Sequence, residues 1–266
     1  IGLYCQIRVR GMALGKVVEL GHETKSIIAR LSDSKNIKRK SEFDFVTETD
    51  LAISKFLHGE LSALYPQTGF MSEEEDISEL PSDRWILDPI DGTTNLIYNY
   101  ALSSVSLALC RDEDIVFGVV YNPFSDETFT AVKGEGAYYN GKKMSAAPDR
   151  DLRECLIEFG AGATHKDEAE KTFALAENVF RNCLDLRRMC SSALAICYIA
   201  QGRLNGYFEK VLKPWDYAAA VLIARECGIT LTDWTGAPMQ FARPQSIICG
   251  TPKAYRFLSE AVKEFV

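Results

Sequence analysis

Residues 85–95 read Trp-Ile-Leu-Asp-Pro-Ile-Asp-Gly-Thr-Thr-Asn and carry two carboxylates on one short segment. The apolar run Trp85–Leu87 predicts a buried strand, and Asp88 is expected where that strand ends. Pro89 fixes its own φ and favours an extended backbone at Asp88. The chain is then expected to turn at Asp91-Gly92, because Asp-Gly is a common turn sequence.

This segment has the residue types needed for phosphate chemistry. Asp88 and Asp91 are three positions apart on a stiffened backbone, so both can bind the same hard cation. Thr93-Thr94-Asn95 can open a helix, and the free N–H groups of a helix N-terminus bind phosphate oxygens. A cation and a phosphate in one loop predict metal-assisted hydrolysis of a phosphate ester. The competing interpretation is an Asx-rich surface turn.

Three other acidic clusters could complete such a site. Glu73 follows the short apolar segment Phe70–Ser72 and is expected at the end of a strand, and Pro214 precedes an acidic helix start. Taken alone, each cluster is more typical of solvated surface than of a ligand set. The clusters are Asp44–Asp50, Glu73–Glu75 and Trp215-Asp216.

Taken together and in this order, the motifs resemble those of the inositol monophosphatase family of magnesium-dependent, lithium-sensitive phosphatases. The family signature Asp-Pro-Ile-Asp-Gly-Thr-Thr-Asn is intact at 88–95, and Asp-x-Val-Thr-x-x-Asp is found at 44–50. Trp-Asp-x-Ala-Ala, followed by Glu-x-Gly, is found at 215–228. The resemblance extends from about residue 40 to the end of the chain.

The resemblance implies a role for each matched position. Two or three Mg²⁺ ions would be held by four carboxylates and one carbonyl, from Glu73, Asp88, Asp91, Asp216 and Ile90. Catalysis would involve Thr93, Asp50 and Glu73, with Thr93 hydrogen-bonded toward Asp50 so that it orients and deprotonates the attacking water. The substrate would contact Gly92, Thr93, Thr94, Cys190, Ser191, Ser192 and Glu209.

Some positions depart from the family pattern and bear on the substrate. Ser72 replaces the usual glycine before Glu73, and Leu96 stands where an aromatic residue is common. Cys190 takes a glycine position in a segment that lines the substrate alcohol in relatives. Inositol 1-phosphate is the first candidate substrate. Fructose 1,6-bisphosphate, 3′-phosphoadenosine 5′-phosphate and histidinol phosphate stay open, the last because the run 212–216 resembles histidinol-phosphate phosphatases.

Composition limits the class of protein and of partner. A net charge of −7 over 266 residues argues against a general nucleic-acid binder, which needs a basic surface. The eight cysteines form no Cys-x-x-Cys pair and mostly lie among apolar residues, so they predict free thiols in a cytoplasmic protein. No apolar run approaches the roughly 20 residues of a membrane span. We expect a small phosphorylated substrate and a homodimer.

The predicted elements place the motifs in a mixed fold. Helices are expected within 3–31, from Thr49-Asp50 to about Leu64, and at 167–180, 190–201, 215–227 and 251–265. Strands are expected at 103–110, 115–121, 127–132, 155–159, 185–188, 206–208, 229–232 and 246–249, with Lys35–Lys40 as a basic loop. This pattern predicts an α+β half at 1–146 and an α/β half at 147–266. Together they would form a layered αβαβα sandwich of the sugar-phosphatase type.

Two interpretations from other classes compete with a phosphatase. A regulatory or RNA-associated binding protein could retain the fold, although the acidic composition provides no basic stripe for RNA. The other alternative is an α/β protein whose acidic loops are merely solvated. Phosphate release that depends on Mg²⁺, and stabilisation by the metal, discriminate among the three.

Overall fold

A computed structural model describes residues 8–9, 12–31, 36–74, 80–162 and 164–265. The helices are α1 (Gly15–Leu31), α2 (Glu48–Leu64), α3 (Thr93–Ile97), α4 (Ala169–Asn182), α5 (Ser192–Gln201), α6 (Pro214–Glu226) and α7 (Pro252–Ala261). Short 3₁₀ turns lie at Leu152–Glu154, Lys166–Glu168 and Val262–Phe265. None of the helices in these ranges is long and apolar enough to cross a membrane.

The strands form two large sheets and two small hairpins. The first half contributes β1 (Arg8–Val9), β2 (Met12–Ala13), β3 (Ile37–Ser41), β4 (Asp44–Thr47), β5 (Gly69–Ser72), β6 (Arg84–Asp91), β7 (Ser104–Arg111), β8 (Asp114–Asn122), β9 (Glu127–Val132), β10 (Gly136–Tyr139) and β11 (Lys142–Lys143). The second half contributes β12 (Leu156–Phe159), β13 (Asp185–Arg187), β14 (Gly206–Leu212), β15 (Thr230–Thr232) and β16 (Gln245–Gly250). The hairpins are β1-β2 and β3-β4.

The first sheet has the order β11-β10-β9-β8-β7-β6-β5, antiparallel throughout except for the parallel pair β5 and β6. The second sheet has the order β13-β12-β14-β16-β15. Its first three strands are parallel to one another, and its last two strands pair antiparallel. The parallel pair of the first sheet matters for the site, because it brings the end of β5 beside Leu87 in the second half of β6.

Helices cover the outer face of each sheet. Leu20 of α1 and Leu57 of α2 pack with Trp85 and Leu87 of the first sheet. On the second sheet, a separate cluster joins α4 and α7 to Ile157, Phe208 and Ile248. The residues within each strand alternate between the two faces, so neighbouring positions belong to different clusters.

Helices α5 and α6 form a layer between the two sheets. Their buried residues, Ala193–Ala200 and Tyr217–Ala224, join Ile86 of the first sheet and Tyr207 of the second in one apolar cluster. Both helices are therefore apolar nearly all round, as expected for helices buried on two sides. The order of layers is helix, sheet, helix, sheet, helix, which confirms the predicted αβαβα sandwich.

Two predicted elements were wrong in their details. The apolar positions that predicted a helix within 3–31 all lie in α1, and the preceding 8–9 and 12–13 form a hairpin instead. Most of the predicted basic loop is the strand β3, whose five side chains are all exposed. An exposed strand buries no apolar face, so it leaves no hydrophobic period in the sequence. Lys35 lies outside the described residues.

The boundaries of two further elements also differ. Strand β6 does not end at Asp88 but continues to Asp91, with an irregular register between the two. Helix α2 is capped by Thr47 rather than by Thr49 or Asp50. Asp50 instead occupies the third helical position and closes a capping box with Thr47.

Candidate active site

The predicted metal ligands come together where the first sheet meets α6. Ser72 at the end of β5 pairs with Leu87 of β6. The residues that follow them, Glu73 and Asp88, therefore lie side by side. The N–H of Glu73 donates to the Leu87 carbonyl over 3.3 Å. Asp216 belongs to the first turn of α6 and lines the same cleft as Glu73.

The cleft has a volume of about 460 Å³. Of the predicted site residues, it is lined by Glu73, Asp91, Gly92, Thr93, Thr94, Cys190, Ser191, Ser192, Glu209 and Asp216. Behind this lining lie Asp50, Asp88 and Ile90, each at most 2% exposed. The structure thus brings together every residue that the motifs singled out.

The carboxylates are buried close enough to repel one another. Burial, and then the negative charges of Glu73, Asp91 and Asp216, hold the pKa of Asp88 well above its ordinary range. Burial also raises the pKa of Glu73 to about 7, against the opposing charge of Lys40. Such a group of acids favours either protons or a cation.

Asp91 differs from its neighbours because the protein supplies it with donors. Its Oδ2 accepts hydrogen bonds from Ala193 N at 3.0 Å, from Ser104 Oγ at 3.3 Å and from Ser191 Oγ. Its Oδ1 accepts one from Ser192 N at 3.2 Å. Burial raises the pKa of Asp91 to about 6, and these hydrogen bonds oppose the rise. The start of α5 therefore fixes the orientation of Asp91.

Several of the carboxylates already have protein partners. Lys40 from β3 pairs with Glu73 at 3.4 Å and with Glu74 at 2.5 Å. Asp216 accepts the N–H of Lys213 at 2.7 Å. As these side chains stand, no three histidine, cysteine or acidic residues in the described part of the chain form a ready metal-binding group. Their oxygen-only chemistry, burial and mutual repulsion nevertheless fit a hard cation such as Mg²⁺, once Lys40 releases Glu73.

A hydrogen-bond relay lies beside the carboxylates. Thr93 Oγ1 is 3.0 Å from Asp50 Oδ1 and 3.1 Å from the Ile90 carbonyl oxygen. The other oxygen of Asp50 accepts both the N–H and the hydroxyl of Thr47. The predicted pairing of Thr93 with Asp50 is therefore present.

The turn after Asp91 needs glycine for two reasons. Gly92 has a φ of +90°, and a Cβ there would lie 3.0 Å from the Cys190 carbonyl oxygen and 3.1 Å from that of Leu102. Asn95 ties the same segments together, because its Nδ2 donates to the carbonyls of Leu102 and Met189. Cys190 itself has a φ of 58°. The thiol residue therefore occupies a left-handed conformation that suits glycine, which is the residue the family pattern has there.

Glu209 of β14 lines the same cleft from the second sheet. It is 8% exposed, and its carboxylate accepts from the Tyr207 hydroxyl and, at 3.2 Å, from the Gly162 N–H. Burial raises its pKa to about 7. Glu209 is therefore not a surface glutamate paired with Lys210 or Lys213, because it is buried, and Lys210 pairs with Glu168 at 2.7 Å.

The motifs did not single out one buried acid of the cleft. Glu158 of β12 also lines it and is only 2% exposed. The sequence contains only a weak indication of Glu158. This glutamate lies between the apolar residues Ile157 and Phe159 in a predicted strand. Of the cysteines in the described ranges, only Cys190 is exposed.

Three comparisons agree with this geometry. The sequence profile of the inositol monophosphatase family matches residues 14–265. The Nus factor SuhB of Vibrio cholerae is 32% identical over 228 residues, which cover 85% of each chain. The inositol-1-monophosphatase of Mesorhizobium japonicum is 35% identical over 232 residues, which cover 86% of each chain.

A solved structure has the same fold over nearly its whole length. The extragenic suppressor protein suhB of Bartonella henselae superposes with a TM-score of 0.87 at 33% identity, covering 94% of this chain and 98% of that one. The carboxylate cluster, the intact signature at 88–95 and these matches lead to one assignment: the chain belongs to the inositol monophosphatase family.

Proposed function

We propose that the protein is a Mg²⁺-dependent phosphatase that hydrolyses a small phosphate monoester, with inositol 1-phosphate as its first candidate substrate. The observation that carries this proposal is the buried group of mutually repelling carboxylates at the end of β5 and β6. Four buried acids that repel one another at one site are costly without a cation, because the protein alone does not compensate their charge. The Mesorhizobium relative, named an inositol-1-monophosphatase, supports the substrate.

The residues that would hold Mg²⁺ are the carboxylates of Glu73, Asp88, Asp91 and Asp216 and the carbonyl of Ile90. When bound, Mg²⁺ supplies positive charge beside the phosphate and lowers the pKa of water. Lys40 would leave Glu73, with which it pairs at 3.4 Å. Two or three ions would match the number of these ligands.

The protein's own groups position the reacting atoms. Thr93 Oγ1 donates to Asp50 Oδ1, which leaves the lone pairs of its oxygen free to accept a proton from an attacking water. Asp50 then takes the hydroxyl proton of Thr93, as a general base acting through a relay. Gly92, Thr93 and Thr94 line the cleft at the start of α3, where the first N–H groups have no acceptor inside the helix, and their backbone would bind phosphate oxygens. Glu209 would hold the alcohol.

Release of inorganic phosphate tests the proposal directly. Purified protein is incubated with inositol 1-phosphate or 4-nitrophenyl phosphate, with MgCl₂ and with EDTA. Release that requires Mg²⁺ supports a phosphatase, and no release from either ester contradicts it. The ranking of kcat/KM against fructose 1,6-bisphosphate, 3′-phosphoadenosine 5′-phosphate and histidinol phosphate identifies the preferred substrate. Millimolar Li⁺ is expected to inhibit, because Li⁺ resembles Mg²⁺ in size but has half its charge.

A regulatory role is the second candidate, and one observation favours it. The Vibrio cholerae relative carries the name Nus factor, so this chain could act by binding a macromolecular partner while retaining the fold. The two roles need not share residues. Loss of phosphatase activity in Asp88→Asn, with partner binding retained, would separate them.

A further inference from the structure

Glu158 belongs to a row of polar side chains on the inner face of the second sheet. In the register of the parallel pair, Glu158 of β12 lies beside Tyr207 of β14. Their neighbours Ile157 and Phe208 face the outer apolar cluster, so Glu158 and Tyr207 face inward. Glu209, two residues after Tyr207, lies on the same face, and Tyr207 donates its hydroxyl proton to it.

The two oxygens of Glu158 have different surroundings. Oε1 accepts the N–H of Met189 at 2.6 Å, and the N–H of Cys190 also stabilises the carboxylate. These bonds fix the plane of the group. Oε2 has no hydrogen-bond partner among the described residues, although it is buried. An unpaired buried acceptor is costly, so its presence indicates a missing hydrogen-bond donor.

The surroundings of Oε2 favour a hydrogen-bond donor as its missing partner. Glu158 lines the cleft that also holds Glu209 and Asp91. The negative charge of Glu209 acts on Glu158, and the charge of Arg188 acts on both. By contrast, each oxygen of Glu209 already accepts one hydrogen bond, from Tyr207 or Gly162. Of these two glutamates, Glu158 is therefore the one with an oxygen that accepts no hydrogen bond from the described residues.

We propose that Glu158 is a specificity-determining residue, whose Oε2 accepts a hydrogen bond from a hydroxyl group of the substrate alcohol. Glu209 holds a second hydroxyl nearby. The alcohol part of the substrate is accordingly a polyol, with at least two hydroxyl groups directed toward the second sheet. This proposal rests on the proposed phosphatase function and adds the feature by which the enzyme selects its substrate.

The test is Glu158→Gln assayed on three esters. Glutamine keeps an oxygen for the Met189 N–H but places an NH₂ group at the Oε2 position, where a substrate hydroxyl would lose its acceptor. The kcat/KM for inositol 1-phosphate is expected to fall roughly ten-fold or more. Cyclohexyl phosphate has the same ring size but no hydroxyl, and 4-nitrophenyl phosphate also lacks one. Their kcat/KM values should change by less than about two-fold.

Glu127→Gln is the matched control. Glu127 is another buried glutamate, 6% exposed, but its carboxylate is held by Tyr139, Tyr198 and Arg203 away from the cleft. This variant should lose stability without changing the ratio of kcat/KM for inositol 1-phosphate to kcat/KM for cyclohexyl phosphate. An equal loss on all three esters in Glu158→Gln would make Glu158 a residue that only positions the 189–192 segment. No loss on any ester would also overturn the proposal.

A measurement on the unaltered protein covers the case in which Glu158→Gln does not fold. Deoxy analogues of inositol 1-phosphate remove one hydroxyl at a time. Two different positions should each lower kcat/KM by roughly ten-fold, one for each glutamate. Sensitivity at one position or at none would overturn the proposal. If the unaltered protein releases phosphate from no ester, the proposed function fails first. If the unaltered protein releases phosphate but Glu158→Gln leaves the ratio of kcat/KM for inositol 1-phosphate and cyclohexyl phosphate unchanged, only the role of Glu158 is contradicted.

Discussion

Asp50 and Thr93 lie 43 positions apart in the chain, yet their side chains form a hydrogen bond of 3.0 Å. The same Asp50 closes the capping box of α2 with Thr47. One carboxylate therefore starts a helix and also holds the hydroxyl of the proposed proton relay. It is fully buried, and burial raises its pKa despite the hydrogen bonds from Thr47 and Thr93.

Thr93→Val should abolish most turnover while leaving the fold intact, because it removes only the relay hydroxyl. General-base catalysis contributes typically about 10²–10⁴-fold, so kcat should fall by at least roughly 10²-fold. Asp50→Asn should lose activity and also stability, since the cap of α2 weakens. Because both residues serve one relay, the double variant should be little slower than the worse single one. Fully additive losses in kcat would contradict the relay.

Asp88→Asn should raise the unfolding temperature of the metal-free protein. Asn keeps an oxygen for the Ile90 N–H, which now bonds Asp88 Oδ1 at 3.0 Å, and it removes a charge repelled by four neighbouring carboxylates. The kcat should fall by at least ~10³-fold, or roughly 4 kcal/mol of barrier. Thermal unfolding in EDTA and in MgCl₂ measures the effect. An unfolding temperature that drops in EDTA would show that the carboxylates do not repel one another.

Asp91→Asn is the informative contrast to Asp88→Asn. Donors from Ser104, Ser191, Ser192 and Ala193 surround both oxygens of Asp91. An amide NH₂ there would face another donor, and this loss should offset the relief of charge. We expect a similar loss of activity but no gain in the metal-free unfolding temperature.

The metal-free protein should lose stability as the pH rises from about 4.5 to about 7. Burial raises the pKa of Glu158 and of Glu209 from 4.5 to about 7. Between these values the folded state binds more protons than the unfolded chain, so the free energy of unfolding falls with increasing pH. Urea unfolding in EDTA at several pH values measures the slope. Glu158→Gln should flatten it, and an unchanged slope would show that Glu158 does not take up a proton on folding.

Gly160→Ala should change substrate preference without unfolding the protein. A Cβ at position 160 would lie 1.8 Å from Glu209 Oε2, which is impossible unless the glutamate side chain moves. Because that atom is the end of a flexible side chain, the backbone can stay in place. The kcat/KM on inositol 1-phosphate should fall roughly ten-fold, with little change on 4-nitrophenyl phosphate. Equal losses of kcat/KM on both esters would show that Glu209 serves metal binding or the fold and does not select the substrate.

The sequence predicted the fold where apolar periodicity was strong. The strands near 104–122 and the helices at 192–201 and 214–226 bury nearly every residue or a full apolar face, so their patterns were clear. The exposed β3 buries too little to leave a pattern, and β1 and β2, of two residues each, are too short to show one. Hydrogen bonds to a neighbouring strand, which the sequence does not display, determine such segments.

The site could be predicted only where several chemical residues stood close together in the sequence. The signature at 88–95 concentrates two proposed metal ligands and a proposed phosphate-binding turn in one segment, so the sequence alone indicated a site there. Glu158 stands alone in an apolar strand, and its hydrogen-bond donor Met189 and its charged neighbour Glu209 come from distant positions. Lys40 likewise reaches Glu73 because the β3-β4 hairpin contributes Phe43–Phe45 to the lining of the cleft. These relationships exist only in three dimensions.

The shared middle layer makes the site a property of the whole chain. Helices α5 and α6 pack against both sheets, and α6 supplies Asp216 to a cluster whose other acids belong to the first sheet. A chain cut between Lys143 and Leu156 would leave each fragment with a large uncovered apolar face and with an incomplete set of acids. Phosphate release regained on mixing two such fragments would therefore serve as a reporter of fragment complementation.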